Sequence, residues 1–371
     1  MEILQVKAVK RVEEFSCKTK ILSGVHGVSA LKDMAIKRLW IVADPFFEKN
    51  GTAQRLITLS GCTEAKTYSE VTPDPTVEQV AKGTMALKAF APDTVIALGG
   101  GSAMDCAKAM VYFSGLDVLF VAIPTTSGSG SEVTDFAVLT HQGVKHPLVD
   151  PKLTPDVAIL DSDLLQELPP KLIADTGFDV LSHALEAYVA TGAGRITDAL
   201  AAESFSTAVR YLPLSYRGNQ GVRLSMHMAS TMAGMAFTRA GLGLCHAMSH
   251  TLGGMFHLPH GRLNAILLPA VISANAPAAS AKYAEISRAA GFGGSADTMA
   301  VRNLKNGLIA LRKELGIPGT LAQAGLQPRQ VWQQTDSIVK ATLQDPCCKT
   351  NPVKIEDFTV RRVLEEVTGR V

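Results

Sequence analysis

Thr94-Val-Ile-Ala-Leu98, Gly99-Gly-Gly-Ser102 and Ala103-Met-Asp-Cys-Ala-Lys108 follow one another without a break, and in that order they read as buried strand, glycine turn and helix. A short apolar run bounded by glycine fits a strand of a sheet covered on both faces. Glycines let the backbone turn tightly and approach a ligand closely, and the helix that follows offers unpaired N–H groups to an anion. Gly99, Gly100, Gly101 and Ser102 are therefore expected to cradle a diphosphate. The run is not GxGxxG, and glycine clusters by themselves more often only make turns.

Outward from this unit the first half alternates strands and helices, which argues for a parallel sheet with helices on its faces. Residues 39–43 form an apolar strand ending at Asp44. An acidic side chain there accepts hydrogen bonds from an adenosine ribose and repels a 2′-phosphate, favouring NAD over NADP; the plainer role is a turn or helix cap before Pro45. The pattern over 77–90 is helical, and the strand over 119–123 leads into Pro124-Thr-Thr-Ser-Gly-Ser-Gly-Ser-Glu-Val133. Its hydroxyls offer donors to phosphate and ribose at the carboxyl end of a strand, where open α/β sheets bind ligands. A hairpin is expected over 136–149, carrying Lys145 back toward the same pocket, and a strand over 156–160 closes the sheet. The chain then crosses between 161 and 170 into a region of helical patterns. An α/β unit over 1–165 and an all-helical unit over 166–371 are expected, with helices at 198–211, 223–237, 264–275, 279–290, 296–315 and 355–367.

That second region carries the residues with the most chemistry. Asp179 and His183 are four apart, His246 and His250 are four apart, and His260 follows ten residues later. Positions i and i+4 share one face of a helix, so each pair aims two side chains at one point. One Asp and three His would close a metal shell. A lone histidine on an apolar helix is more often a hydrogen-bonded core residue, but several together on Ala-, Leu- and Met-rich helices would be costly unless paired or metal-bound.

Composition limits the alternatives. The 371 residues carry a formal net charge of +2 and have no long basic run, so nucleic acid and anionic membranes are poor partners. No apolar run approaches the roughly 18 residues of a membrane span. The charged N-terminal stretch lacks a secretory core, and a cytoplasmic setting is expected. Six cysteines without CxxC spacing indicate neither a thiolate zinc site nor a disulfide framework. Cys245 is read as packing.

GGGSAMDCAK (99–108), PTTSGSGSEVT (124–134), TGFDVLSHALEAY (176–188) and AGMAFTRAGLGLCHAMSHTLGGMFHLPHGRLNAILLP (233–269) resemble the iron-containing (group III) alcohol dehydrogenases. The resemblance extends to Asn351-Pro352 and is greatest toward the propanol dehydrogenases associated with bacterial microcompartments. It implies a Rossmann-like N-terminal domain followed by an all-helical metal-binding domain. It implies a divalent metal, Fe(II) with Zn(II) as the alternative, on Asp179, His183, His246 and His260, with His250 as a second active-site histidine. It also implies NAD contacts at Asp44, Gly101, Ser102, Thr125, Thr126, Lys145 and Leu164. The substrate would be a small alcohol or aldehyde and the assembly a homodimer. The charged start, Val6 to Phe15, would then be a candidate for docking on a microcompartment shell protein. GSGSEV replaces the more usual GTGSEV and should keep its hydrogen bonding. His257 is read as lining or supporting the pocket.

Two other reaction classes fit parts of the pattern. A metal-dependent lyase resembling dehydroquinate synthase would need several Lys or Arg for an anionic substrate, and the helical motifs offer Arg239 and Arg262. A metal hydrolase without nucleotide would leave both glycine-rich segments unused.

Overall fold

The computed structural model describes residues 13–142 and 144–369, Val144 by its backbone alone, so most of the charged start and the docking expectation attached to it lie outside the described residues. Six parallel strands form one sheet: β1 (Lys20–Gly24), β2 (Arg38–Ala43), β3 (Glu64–Tyr68), β4 (Thr94–Gly99), β5 (Leu119–Pro124) and β8 (Val157–Asp161). They lie in the order β1-β8-β5-β4-β2-β3. The interior strands are buried on both faces, and alternate residues divide between two cores as a period of two requires. Trp40, Val42, Val95, Ala97, Phe120 and Ala122 face α3 (Val77–Phe90) and α4 (Gly101–Ser114). Leu39, Ile41, Ile96, Leu98, Val121 and Ile123 face the other way, toward Leu56 of α2 (Thr52–Ser60), which follows the short α1 (Pro45–Lys49).

Two strands escaped the sequence reading, and one was misplaced. β1 and β3 are edge strands with exposed polar positions, KILSG and EAKTY, and so lack an apolar run. β8 does not close the sheet: wholly buried, it pairs with both β1 and β5, and β1 forms the edge. The expected hairpin forms as β6 (Phe136–His141) and β7 (Val144–Val149), a separate antiparallel pair. Two charges of α4, the buried Lys108 and the half-buried Asp105, anchor its approach. Lys108 Nζ donates to Thr134 O at 2.9 Å, Thr134 Oγ1 at 2.8 Å and Phe136 O at 2.9 Å, and Asp105 accepts from Ser131 Oγ and Val138 N, both at 3.0 Å.

After β8 the described chain is helical: α5 (Pro170–Val189), α6 (Arg195–Tyr216), α7 (Arg223–Ala240), α8 (Leu244–Phe256), α9 (His260–Ala289), α10 (Asp297–Glu314), α11 (Pro328–Gln333), α12 (Thr335–Gln344) and α13 (Asp357–Thr368). One continuous core joins them from Ile173 to Val367. α8 runs on through Gly253 and Gly254. The two helices expected over 264–275 and 279–290 are one: α9 is continuous over 30 residues with Pro269 and Pro277 inside it. Each proline removes one backbone hydrogen bond, and packing of α9 against α5 and α10 holds the helix together nonetheless. α9 is also long and apolar enough to cross a membrane, against the expectation of no such run, but 67% of its apolar window is buried inside the protein, as in a core helix.

Candidate active site

Three helices bring the five sequence-predicted residues together. Asp179 and His183 lie one turn apart on α5, His246 and His250 one turn apart on α8, and His260 opens α9. Gly261 makes the approach of α9 to α5 possible, since a Cβ there would stand 2.0 Å from Asp175 O. Asp179 Oδ1 then lies 3.5 Å from His260 Nε2, 3.8 Å from His246 Nε2 and 4.0 Å from His183 Nε2. The ligand atoms of Asp179, His246 and His260 are all within 4.8 Å of one another. His183 stands at the margin of that trio. Its ring stacks on His246 and on Phe237, each at 4.4 Å, and its buried Nδ1 has no side-chain hydrogen-bond partner among the described residues.

The surroundings prepare the cluster for a cation. Glu186 Oε2 takes the Nδ1 proton of His246 at 2.6 Å, which turns the Nε2 lone pair toward Asp179. Glu186 Oε1 accepts from Cys245 N at 2.7 Å and Asn351 Oδ1 from Leu244 N at 3.0 Å, so two buried side chains cap α8 where it presents His246. Asn264 Nδ2 donates to Asp179 Oδ1 at 2.8 Å and lies 3.2 Å from both His246 Nε2 and His260 Nε2. Three acceptors thus converge on one donor. Burial works to raise the Asp179 carboxyl, but the imidazoles of His183, His260 and His246 outweigh it and hold it well below the usual range. Burial opposes charge on His246 too, yet its bonds to Asp179 and Glu186 lift it to about 9. One carboxylate with convergent imidazole nitrogens is a donor set suited to divalent iron or zinc.

His250 stands beside this cluster. Its ring stacks on His260 at 5.2 Å, and its Nδ1 lies 2.9 Å from Asp345 Oδ2. His257 is exposed and ends α8 in a left-handed conformation, φ 56°.

Apart from Lys145, on β7 of the separate hairpin, the predicted nucleotide residues lie at or just after the carboxyl ends of strands of the sheet. Gly99 pairs with Pro124 across β4 and β5, and Thr125 N donates to Gly99 O at 3.0 Å. Gly99 has φ 152°, and a Cβ there would come within 2.6 Å of Ala103. Gly100 faces Thr126, and Gly101 faces Ser129, so the two glycine-rich segments face each other, with Ser102 in the first turn of α4. Asp44, at the end of β2, uses Oδ1 to cap α1 through Phe46 N at 2.9 Å, which is the plainer role foreseen for it. Leu164 lies half-buried in the turn after β8. Lys145 Nζ is held by Asp74 Oδ1 at 2.7 Å. The hydroxyl-rich loop also reaches the imidazole cluster: a Cβ on Gly128 would stand 2.8 Å from Thr176 Cβ, one turn before Asp179.

Known proteins share this arrangement. A family model described as iron-containing alcohol dehydrogenase matches residues 19–162, and one for the C-terminal part of the same family matches 173–368. The chain belongs to the iron-containing alcohol dehydrogenase family. The 1-propanol dehydrogenase PduQ of Citrobacter freundii is 41% identical over 370 residues, covering 96% of this chain and 100% of that protein. An NADPH-dependent butanol dehydrogenase of Clostridium saccharobutylicum is 40% identical over 323 residues, 81% of this chain and 83% of its own. A sulfoacetaldehyde reductase from Bifidobacterium kashiwanohense, solved in complex with NAD+, superposes with a TM-score of 0.88 at 29% identity, covering 96% of this chain and 99% of that one.

As an iron-containing alcohol dehydrogenase the chain shows features its sequence reading missed. Glu186 follows Asp179 at i+7 and His183 at i+3 on the same face, and Asn264 follows His260 at i+4, so the helical period carried a signal for both. Asp345 lies 95 residues from His250 and gave none. The two arginines weighed for an anionic substrate are engaged elsewhere: Arg262 forks onto Asp175, and Arg239 donates to Ser16 O beside Asp135.

The hydroxyl-rich loop of this dehydrogenase is tied to α7. His227 Nε2 donates to Pro124 O at 3.1 Å, which leaves Nδ1 to accept from Ser127 Oγ at 3.1 Å. Thr231 donates to the buried Glu132 at 2.6 Å, and Gly130 packs directly on the Gly234 backbone. Burial holds the His227 imidazole down to about 4, below the ordinary 6.5. Between those values the unfolded chain binds a proton that the folded chain refuses, so this contribution is complete above the ordinary value and is lost as pH falls toward about 4. His227→Gln keeps a donor and an acceptor without the titration. Its urea midpoint is expected to fall less steeply than wild type across that acid window; parallel curves would show that His227 is not the group responsible.

Proposed function

We propose that this dehydrogenase interconverts short-chain primary alcohols such as 1-propanol with their aldehydes, using Fe(II) at Asp179, His183, His246 and His260 and NAD(H) along Asp44, Gly100, Gly101, Ser102, Thr125, Thr126, Lys145 and Leu164. The observation that carries the reading is the convergence of Asp179 Oδ1, His246 Nε2 and His260 Nε2 within 4.8 Å, beside a loop from the strand ends. When bound, the metal supplies Lewis acidity to the substrate oxygen and the nicotinamide supplies the hydride acceptor or donor.

The chain's own residues do the rest. Asp179 supplies the cluster's negative charge, and Glu186 fixes the His246 tautomer. Asp345 orients His250 through Nδ1, leaving Nε2 to exchange a proton between the substrate oxygen and water. With Arg262 and Arg239 engaged in internal contacts, a small uncharged substrate fits better than the anionic substrate of a lyase. His250→Ala is expected to lower turnover by about 10²-fold at unchanged metal content, the lower range for general acid–base groups. Added imidazole should restore part of that loss, and an unchanged pH–rate profile would count against the role.

NAD is favoured over NADP because Asp44 stands just after β2, where an acidic side chain repels a 2′-phosphate in such a fold. A division of the chain near residue 165, a homodimer, and a cytoplasmic setting inside a microcompartment with a shell protein as partner complete the reading, and these rest on the sequence motifs. The test is NADH oxidation with propanal by anaerobically purified protein, after chelation and after addition of Fe(II) or Zn(II), with NADPH in parallel. Metal-dependent turnover preferring NADH is expected, with Fe(II) restoring more activity than Zn(II). No turnover with short aldehydes or alcohols, despite bound metal and nucleotide, would overturn the reading.

A further inference from the structure

The geometry points to a second cation site, formed by His250, Asp345 and Cys347 and suited to a thiophilic divalent ion such as Zn(II). A ligand atom from each side chain lies within 4.8 Å of the other two. Ligand atoms on a tetrahedral zinc with bonds of about 2.0–2.3 Å stand roughly 3.3–3.8 Å apart, so the trio, whose sides are all within 4.8 Å, would close by about 1.5 Å at most while the 2.9 Å His250–Asp345 contact opens. Asp345 and Cys347 are already presented together, because Asp345 Oδ1 accepts from Cys347 N at 2.8 Å and closes the turn over Pro346–Thr350. The Cys347 thiol faces the Asp345 carboxylate, whereas Cys348 Sγ points to the backbone oxygen of Thr342 at 3.1 Å. All three side chains are half-buried, which leaves a fourth position open to water.

The donor sets separate the two sites. The Asp179 cluster offers oxygen and nitrogen, whereas this one adds sulfur, and thiolate selects softer ions. Binding shifts the His250 proton from Nδ1 to Nε2 by exchange with water, so that Nδ1 and the Cys347 thiolate supply the lone pairs, and the thiol proton is released to water. A neutral imidazole ligated through Nδ1 carries its remaining proton on Nε2 and has no lone pair left there to accept another. Occupancy therefore stops the relay assigned to His250, and zinc becomes an inhibitor of the iron enzyme. That consequence rests on the proposed function, but the binding does not.

Anaerobic titration with Co(II) separates the two. Wild-type protein is expected to develop a sulfur-to-cobalt charge-transfer absorption as the second equivalent binds. Cys347→Ser should lose that absorption while keeping the ligand-field spectrum of the first site, and Cys348→Ser should keep both. Cys347→Ser should also weaken binding of the second Zn(II) by more than about tenfold, at least what loss of an outer partner costs a metal site. In iron-loaded enzyme, a second equivalent of Zn(II) should suppress propanal reduction in wild type and Cys348→Ser but not in Cys347→Ser. No sulfur absorption at any occupancy, or its survival in Cys347→Ser and Cys347→Ala alike, would overturn the site. Absorption that follows Cys347 without loss of turnover would overturn the inhibitory role. Absorption that follows Cys347 in a protein inactive on propanal would uphold the site and reject the proposed function.

Discussion

Asp179→Asn is expected to purify without bound iron and to reduce propanal at least about 10³-fold more slowly than wild type, roughly 4 kcal/mol of lost transition-state stabilisation. The substitution keeps the shape of the side chain and removes only its charge. In the folded protein that charge is the common partner of the His260, His246 and His183 Nε2 atoms, at 3.5, 3.8 and 4.0 Å. Asn264 already donates to the same oxygen, so an amide at 179 would also risk setting one N–H group against another. Metal analysis beside the NADH assay separates the two effects. A variant that retains stoichiometric iron and is merely slow would remove Asp179 from the ligand set.

Gly261→Ala tests how the cluster is assembled. A Cβ at 261 would lie 2.0 Å from Asp175 O, 2.7 Å from Asp175 C and 3.3 Å from Asp179 Cβ. The first two contacts are backbone, so no side chain can turn aside and α5 and α9 must part. Overpacking of this kind costs about 3 kcal/mol or more. Because His260 precedes Gly261 directly, the same displacement moves it away from Asp179, and iron affinity should fall by about 10–100-fold. Gly254→Ala is the control: nothing lies within 4 Å of a Cβ there, and it should melt at or slightly above wild type. A Gly261→Ala protein with wild-type melting and metal content would show that the helices have slack at this contact.

The helical period made much of the candidate site legible. Asp179, His183, His246 and His250 fall at i and i+4, and the structure brings all of them beside His260. What stayed hidden depended on tertiary contact. Asp345 reaches His250 from the far end of the chain, and His227 looks like any residue of an apolar helix until Pro124 and Ser127 are seen against it. In the sheet, interior strands announced themselves as apolar runs, whereas β1 and β3 carry the polar residues of edges. Pro277 of α9 misled for the opposite reason. Local chemistry argued for a break between 275 and 279, and the packing of α9 against α5 and α10 overrode it.

The stitching of the hydroxyl-rich loop to α7 has a bearing on redesign. His227, Thr231 and Gly234 hold Pro124, Ser127, Gly130 and Glu132 by contacts that most replacements in the loop would disturb. A library randomising that segment would lose folded members before it sampled new nucleotide preferences. Asp44 is different: it sits half-exposed ahead of a helix of five residues, and its side chain makes one hydrogen bond among the described residues, the cap on Phe46 N. Serine or asparagine can supply that cap as well. On the proposed reading of Asp44, a switch of coenzyme is best sought at the end of β2, with the loop after β5 left as it stands.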